Sequence, residues 1–449
     1  MIAMKCIHLC FVAVLAILVS CSSQERSEAG LLLKNANVIV GDGSGELKGA
    51  DILVRGDSIV QVGKNIDDAG AKAVDMTGKT IMPALISAHV HIGVLKGNSS
   101  SADNYTRQNI LDELKKYAEY GILNLQVMGT DRPLLFQNGL YDSIRNGLLP
   151  GARMLSAGYG FNIPQANIDP SSFLSAVYRP SSPESVPAEI DSLAALNIKT
   201  LKIWVDDAGG SAPKMKPEIY QAIIREAHQR GMQVAAHVYY LSDARRLVND
   251  GIDIIAHGIR DSVVDAAFVE SMKKNNVIYI PTLTLDDFSF VYSRDPEWIN
   301  DPFFKRSLEP GVYDMLTSEK FRNEQKNSPS LKRNTTAFTV GMQNVKKLAD
   351  AGVVVALGTD SGAFPIRTQG FSEHLELQLL RQAGLTPMQV IVAATQNAAK
   401  ALKIDDRFGT LQQGKIADLL VLDGDPLEDI RNSRKIEAVY KAGEKIDIQ

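Results

Sequence analysis

Six polar side chains occur in or just after short apolar segments of this sequence, and five of them, the histidines and the aspartate, are of kinds that bind metal ions. Two form the pair His89-Val90-His91, and the others are Lys202 in TLKIWVDD, His237 in AAHVYY, His257 in IIAHGI and Asp360 in ALGTDSG. Neutral imidazoles and carboxylates are ligands of zinc and similar divalent metals. Because alternate residues of a strand point to the same face, an H-x-H pair in a strand directs both imidazoles to one side. We therefore expect a metal site, provided that the fold brings these residues together.

Each of these residues also has an ordinary structural explanation when it is taken alone. An H-x-H pair can arise by chance, with one histidine buried and the other hydrogen-bonded to solvent. Four histidines buried in three segments, however, need four separate hydrogen-bond solutions. The set as a whole therefore favours a metal site over a series of unrelated core histidines.

Lys202 is the unusual member of the set, because its immediate neighbours are apolar and predict an inward-pointing side chain. A buried ammonium group without a partner is costly. Reaction with CO2 would convert the amine into a carbamate, whose two oxygens can bridge two metal ions. The alternative is an ion pair with Asp360 or with the adjacent Asp206 and Asp207.

Eight short apolar strands with amphipathic helices between them are predicted within residues 83–404. The strands cover residues 86–93, 123–129, 152–158, 200–205, 233–238, 253–258, 277–283 and 353–360. Repeated strand–helix units predict an α/β fold with a parallel sheet, and eight units predict a closed (β/α)8 TIM barrel. Active sites of such barrels lie at the carboxyl ends of the strands. The six residues named above occur in or at the ends of five of these strands.

The two ends of the sequence have a different pattern from the centre. Residues 31–82 and 405–449 consist of short alternating apolar segments separated by glycine-rich turns. Two β-rich ends that flank a barrel predict one small β-sandwich domain, built from both termini.

Residues 1–20 resemble an export signal, since Lys5 precedes an apolar run from 11 to 19 that is too short for a comfortable membrane span. The run ends in LVS-Cys21, which resembles the lipobox of bacterial lipoproteins, and the polar residues 21–30 would form a tether. We expect Cys21 to be lipidated, so that a lipid anchor is the protein's only membrane contact. This interpretation predicts the envelope of a bacterium, on the periplasmic or outer-surface side. The alternative is a simple secretory signal that happens to end near a cysteine.

Composition excludes several other classes of protein. The chain has 449 residues, and 48 Lys and Arg balance 52 Asp and Glu to give a formal charge of −4, which argues against a strongly basic nucleic-acid-binding protein. Its three cysteines all lie within the first 21 residues, so the rest of the chain has neither a disulfide framework nor a thiolate metal site. The sequence is compatible with a homo-oligomer and leaves the oligomeric state open.

The order H-x-H, Lys, His, His, Asp over eight strands resembles the amidohydrolase superfamily. The segments MPALISAHVHIG, TLKIWVDDAGG, AAHVYY, IIAHGI, YIPTLTL and VALGTDSG together resemble its prolidase and imidazolonepropionase-like branch, which includes Xaa-Pro and Xaa-Arg dipeptidases. The resemblance extends over nearly all of the chain after the signal. Two positions depart from the usual P-G-L-I-D-x-H-x-H pattern: Ala84 replaces Gly, and Ser87 replaces Asp. Loss of an acidic group beside the ligands could alter the orientation and basicity of these ligands.

The resemblance implies two divalent metal ions, with zinc as the expected metal. The more buried ion would be held by His89, His91, Lys202 and Asp360, and the second by Lys202, His237 and His257. A shared hydroxide would attack the scissile carbonyl. Asp360 would be the catalytic residue that accepts its proton and passes the proton to the leaving amine.

Two residues are candidates for substrate binding. Tyr239 resembles the tyrosine of an H-x-Y segment that contacts the substrate carbonyl or carboxylate in the dipeptidases, although it could also be a rim aromatic. Arg260 could pair with a substrate carboxylate, or it could form a surface ion pair with Asp261 or Asp265. Residues 284–340 are long for a connection after a barrel strand. They could form a lid whose aromatics line an apolar pocket, or a structural excursion or dimer contact.

The leading hypothesis is a binuclear amidohydrolase that cleaves the C–N bond of a small-molecule substrate, a dipeptide or an N-acyl amino acid. A mononuclear deaminase or a cyclic amidase resembling imidazolonepropionase is the first alternative. The deaminases often have a Glu shortly after the fifth-strand histidine, whereas Val238, Tyr239 and Tyr240 follow His237 here. Lactone or phosphoester hydrolysis at the same metals is a further alternative, and a ligand-binding lipoprotein without catalytic activity is the least favoured.

Overall fold

The computed structural model describes residues 30–67, 70–165 and 169–448. Cys21 and the predicted export signal lie outside these residues. Among the described helices, none has the length and apolar character that crossing a bilayer requires.

The described residues form strands and helices that alternate through the centre of the chain. The strands are β1 (Leu31–Ile39), β2 (Glu46–Arg55), β3 (Ser58–Gly63), β4 (Lys72–Asp75), β5 (Thr80–Pro83), β6 (Leu85–Val90), β7 (Leu95–Lys96), β8 (Ser99–Ser100), β9 (Ile122–Val127), β10 (Arg153–Ser156), β11 (Thr200–Trp204), β12 (Gln233–His237), β13 (Ile254–Ala256), β14 (Ile278–Ile280), β15 (Leu419–Leu422), β16 (Ile436–Lys441) and β17 (Glu444–Ile446). The α-helices are α1 (Arg107–Glu119), α2 (Leu140–Arg145), α3 (Val186–Ala195), α4 (Pro217–Gln229), α5 (Leu241–Asn249), α6 (Ala266–Lys274), α7 (Leu283–Phe288), α8 (Pro302–Lys305), α9 (Val312–Thr317), α10 (Glu319–Lys326), α11 (Leu331–Asp350), α12 (Phe371–Gln382), α13 (Pro387–Ala394) and α14 (Gln396–Leu402).

The central strands form a parallel barrel, as the sequence predicts. Strands β6, β9 and β10 pair in one parallel group, and β11 to β14 pair in a second. A parallel bridge from Phe161 to Ile203 joins the two groups. The circle is closed by parallel bridges from Tyr279 to Val355 and from Ser361 to Val90. The predicted (β/α)8 fold is therefore confirmed.

The eighth barrel position differs from the regular strand predicted over 353–360. Its backbone divides its hydrogen bonds among several neighbours: Ala356 N donates to Tyr279 O at 2.9 Å, while Leu357 N donates to Ala393 O at 2.9 Å. Only isolated bridges connect this segment to the neighbouring barrel strands. The segment is therefore extended, but it does not form a continuous ladder of backbone hydrogen bonds with them.

Strands from both ends of the chain share one eight-stranded sheet in the order β17-β16-β15-β5-β1-β2-β3, with β4 beside β1. An antiparallel bridge from Ser58 to Ile416 brings β3 back to the segment that precedes β15. The sheet thus curls around its own apolar core, which includes Leu33, Val38 and Leu419. The predicted assembly of one β-domain from both termini is confirmed.

A buried polar cluster joins this sheet to the amino-terminal end of the barrel. Asp418 accepts a hydrogen bond from Arg153 Nη1 at 2.6 Å and one from Asn124 Nδ2 at 3.1 Å. Arg153 begins β10 and Asn124 lies early in β9, so the contact is at the end of the barrel opposite to the site described below. This arrangement leaves the carboxyl ends of the strands free for a site.

Residues 284–340 fold into α7 to α10 and the first half of α11. Their aromatic side chains pack on one another and on Phe371 of α12, with ring centroids 4.7 Å apart for Trp298 and Phe304 and 5.1 Å apart for Trp298 and Phe371. These aromatics therefore form the core of the segment itself, and they do not line the cavity at the barrel mouth.

Candidate active site

The structure brings all six predicted metal ligands to the carboxyl end of the barrel. His89 lies in β6, His91 follows it, Lys202 lies in β11, His237 ends β12, and His257 and Asp360 follow the sixth and eighth barrel positions. All six line one cavity of about 370 Å³. The six residues are far apart in the sequence but close in space, because the strands that carry them belong to one closed barrel.

Three of the six form a compact group of metal-binding atoms. His91 Nε2 lies 2.9 Å from Asp360 Oδ1, and His89 Nε2 lies 3.1 Å from the same oxygen. One ligand atom from each of the three residues can be chosen so that all lie within 4.8 Å of one another. That spacing is suitable for a single divalent cation bound by two imidazoles and a carboxylate.

The other two imidazoles lie directly beside this group. The ring centroid of His257 is 4.5 Å from that of His89 and 4.3 Å from that of His237. His237 Nε2 also lies 3.0 Å from Asp206 Oδ2, on the loop after β11. The imidazoles therefore follow one another across the cavity, from the group that contains Asp360 to the pair formed by His257 and His237.

The amine of Lys202 is buried among these groups without a hydrogen-bond partner. The residue is 1% exposed. Within the described residues, its Nζ has no hydrogen bond and no ion pair, so the alternative pairing with Asp360, Asp206 or Asp207 is not formed. Burial lowers the pKa of Lys202 to about 7, although the charges of Asp360 and Asp206 oppose this shift.

The electrostatics favour the protonation states of metal ligands. Burial lowers the pKa of His89 to about 3 and also lowers the pKa values of His237 and His257, which favours the neutral form of each ring. Burial alone would raise the pKa of Asp360, but the guanidinium of Arg367 and the nearby imidazoles hold it well below its usual range. A carboxylate beside neutral imidazoles is a donor set for a divalent cation.

The unpartnered atoms also fit a metal centre. Neither ring nitrogen of His89 makes a hydrogen bond of good geometry, and Lys202 Nζ makes none. Leaving a buried polar group unsatisfied costs about 1–3 kcal/mol. A cation bound by one ring nitrogen of His89 and by a carbamate on Lys202 would give both of these buried groups a partner, so the residues present fit the group that the sequence predicts.

Two threonines orient the imidazoles toward the cavity. Thr130 Oγ1 lies 2.7 Å from His91 Nδ1, and Thr282 Oγ1 lies 2.9 Å from His257 Nδ1. When each Nδ1 donates its proton to the hydroxyl, the lone pair of Nε2 is left for a metal ion.

The backbone at the strand ends is strained where it presents these groups. His257, Thr282 and Asp360 have φ angles of 75°, 47° and 59°, in the left-handed region that non-glycine residues rarely adopt. Such conformations persist where the surrounding structure holds them, and they are often found at functional sites.

Tyr239 and Arg260, the two predicted substrate-binding residues, both line the cavity. Arg260 is 6% exposed and does not form the surface ion pair with Asp261 or Asp265 that was its alternative. Its Nη1 instead donates to Asp286 Oδ1 at 2.8 Å. The charge of Arg260 is thus already neutralised inside the protein.

Several cavity residues could not be recognised from the sequence. The rest of the wall is formed mainly by apolar side chains and by two further arginines: Phe173, Leu174, Trp204, Leu285, Phe364, Arg333 and Arg367. Arg367 contacts Asp360 from the loop after the eighth barrel position. Its place shortly after a predicted ligand, in a loop at the barrel mouth, is the one signal that could have found it.

Comparison with known proteins gives the class of protein to which this fold and site belong. The model of the Amidohydrolase family matches residues 80–446. The chain belongs to that family.

Individual relatives are more distant. A candidate prolidase from Bifidobacterium longum has a similar structure, with a TM-score of 0.74 at 25% identity over 93% of this chain and 95% of that one. Ochratoxinase from Aspergillus niger is 26% identical over 235 residues, which are 51% of this chain and only 41% of the ochratoxinase. Imidazolonepropionase from Deinococcus radiodurans is 38% identical over 107 residues, 22% of this chain and 26% of that enzyme.

The contact between Thr130 and His91 predicts an effect on metal affinity. Thr130→Val keeps the shape of the side chain but leaves His91 Nδ1 without its partner, and we expect metal affinity to fall at least about 10-fold. Competition with a chromophoric chelator measures this affinity. Thr339→Val is the matched control, because Thr339 is exposed on α11 and its hydroxyl donates to Thr335 O within the same helix. Equal affinity in the two variants would show that Thr130 does not orient the ligand.

Proposed function

We propose that this protein is a binuclear metal-dependent amidohydrolase that cleaves the C–N bond of a dipeptide or an N-acyl amino acid. The observation that carries the proposal is the buried amine of Lys202, which has no hydrogen-bond partner and lies beside imidazoles from three strands. A carbamate at this position would have one oxygen for each of two cations. His89, His91 and Asp360 would complete one binding set, and His237 and His257 the other.

The residues of the chain have distinct tasks in this reaction. The two cations, when bound, supply a water of lowered pKa and an electrophile for the scissile carbonyl. Asp360 holds Arg367 with one carboxylate oxygen, while its other oxygen faces His91 and His89. The Asp360 carboxylate accepts the proton of the attacking water and returns it to the nitrogen of the leaving amine. Zinc is the expected metal, since the donors are imidazole and carboxylate groups.

The relatives support this choice of bond. The proteins similar to this chain include a candidate prolidase and ochratoxinase. A cavity of about 370 Å³ has room for a small molecule and not for a folded protein. Its aromatic wall, including Phe173 and Trp204, favours a substrate with an apolar side chain.

Hydrolysis of a cyclic amide at a mononuclear site is the second candidate. The 38% identical stretch shared with an imidazolonepropionase favours it. In that case Lys202 would remain an unmodified amine, and only one cation would be bound.

We also propose that Cys21 carries a lipid that anchors the protein in a bacterial cell envelope. The apolar run and the LVS-Cys21 sequence support this proposal. The hydrolase would then work at a membrane surface, on the exported side.

Metal content distinguishes the candidates. We expect purified protein grown with zinc to contain about two metal ions per chain by mass spectrometry, and a chelator to abolish turnover in a library of dipeptides and N-acyl amino acids. Added zinc should restore it. About one ion per chain would favour the mononuclear candidate, and none would exclude both.

Removal of the Lys202 amine tests the carbamate. Lys202→Ala should lose at least about 100-fold in turnover, because both cations lose a shared ligand. A short carboxylic acid should restore part of that activity, because its two oxygens can occupy the place of the carbamate. Asp360→Asn is the matched control, since it should lose turnover and not respond to the added acid. Absence of rescue in a Lys202→Ala protein that still binds two metals would contradict the carbamate.

The anchor is tested in cells. Labelled fatty acid should be incorporated into the wild-type protein and found with membranes after fractionation. Cys21→Ser should remain unlabelled and leave the membrane fraction. Equal labelling of the two proteins would refute lipidation at Cys21.

A further inference from the structure

Four cationic side chains line the cavity, and their partners differ. Arg260 is neutralised by Asp286 at 2.8 Å, and Arg367 contacts Asp360. Lys202 lies at the bottom, among the metal ligands. Arg333 is the exception among the arginines, because no carboxylate lies within ion-pair distance of it in the part of the chain that the structure describes. The cavity mouth therefore has one guanidinium charge without a counter-ion.

The position of Arg333 is defined by two contacts. Its Nε lies 3.3 Å from Tyr239 Oη, and its guanidinium carbon lies 4.9 Å from the centroid of the Tyr239 ring. On its other side the guanidinium covers the backbone of Gly209, where an added Cβ would lie 2.6 Å from Nη1. Arg333 is thus held over the mouth by the loops after β11 and β12, although it belongs to α11.

The guanidinium has the chemistry to bind a carboxylate. An arginine can donate two parallel hydrogen bonds to the two oxygens of a carboxylate. Only Nε of Arg333 has a hydrogen-bond partner in the described structure, which leaves the donors of its terminal nitrogens available. The residue is exposed, so a small anion can reach it without a rearrangement of the barrel.

We propose that Arg333 is a specificity-determining residue that binds a free carboxylate on the leaving-amine side of the substrate. The inference rests on the proposed amidohydrolase function, and it replaces Arg260 with Arg333 as the carboxylate-binding arginine. Dipeptides and N-acyl amino acids both have such a carboxylate next to the nitrogen of the cleaved bond. Their carboxamides have the same shape but no charge. The structure therefore assigns a preference for acids over amides to one residue at the start of α11.

Matched substrates test this preference. For each substrate that the library identifies, the acid and its C-terminal amide are compared in Arg333→Met and in wild-type metal-loaded protein. We expect the KM for the acid to rise about 10-fold with kcat within about 2-fold, because a charge-assisted hydrogen bond outside the reacting centre is lost. The KM for the amide should change less than about 2-fold. Lys332→Met is the control, because it removes the same charge from the adjacent exposed residue, which does not line the cavity.

A binding measurement separates this inference from the proposed reaction. Calorimetry with 3-phenylpropanoate and the neutral 3-phenylpropanol, neither of which has a C–N bond to cleave, reports affinity without turnover. If Arg333→Met lowers affinity for the acid alone, the inference holds even where no substrate is cleaved. If wild-type protein does not distinguish the acid from the alcohol, or if Arg333→Met and Lys332→Met behave alike, the inference is wrong even where hydrolysis is observed.

Discussion

The buried amine of Lys202 is the constraint on which the rest of the site depends. It is buried beside imidazoles and lacks a hydrogen-bond partner, while neither ring nitrogen of His89 makes a hydrogen bond of good geometry. A core that only had to be stable would replace these groups with apolar side chains, because unsatisfied buried polar atoms oppose folding. Their presence together is explained when they bind cations, since one ring nitrogen of His89 and the oxygens of a carbamate on Lys202 would then be ligands.

The two ends of the barrel have different roles, and this separation makes the arrangement possible. At the amino-terminal end, Asp418 and Arg153 join the barrel to the curled sheet through a buried ion pair. At the carboxyl end, the backbone departs from regular strand geometry at His257, Thr282 and Asp360. The contact at the amino-terminal end is structural, whereas the backbone at the carboxyl end has the strain that is typical of functional sites. The closed order of the strands places residues that are distant in the sequence next to one another at the carboxyl end.

The sequence could predict the ligands but not the whole cavity, and the reason is physical. His89, Lys202 and Asp360 each belong to an apolar segment, and the barrel topology alone places the ends of such segments around one mouth. Arg333 and Arg367 belong to loops and helices whose paths depend on long-range packing, which local pattern does not encode. The aromatics of residues 284–340 illustrate the same point, since they pack into a local core where a pocket lining had been one of the expectations.

The departure at Ser87 has a structural counterpart across the barrel. Ser87 Oγ donates to Glu373 Oε1 at 3.2 Å, and the same oxygen accepts hydrogen bonds from Thr359 at 2.6 Å and Ser361 at 2.9 Å. Glu373 belongs to α12, so the acidic group that β6 lacks is contributed by the helix after the eighth barrel position.

Thr359 and Ser361 flank Asp360, and Ser87 is two residues before His89. One buried carboxylate therefore ties together the two segments that carry the first metal-binding group, and burial raises its pKa to about 7. Because a serine at 87 can donate to this carboxylate while an aspartate there would repel it, the substitution at 87 and the acid at 373 form one consistent arrangement.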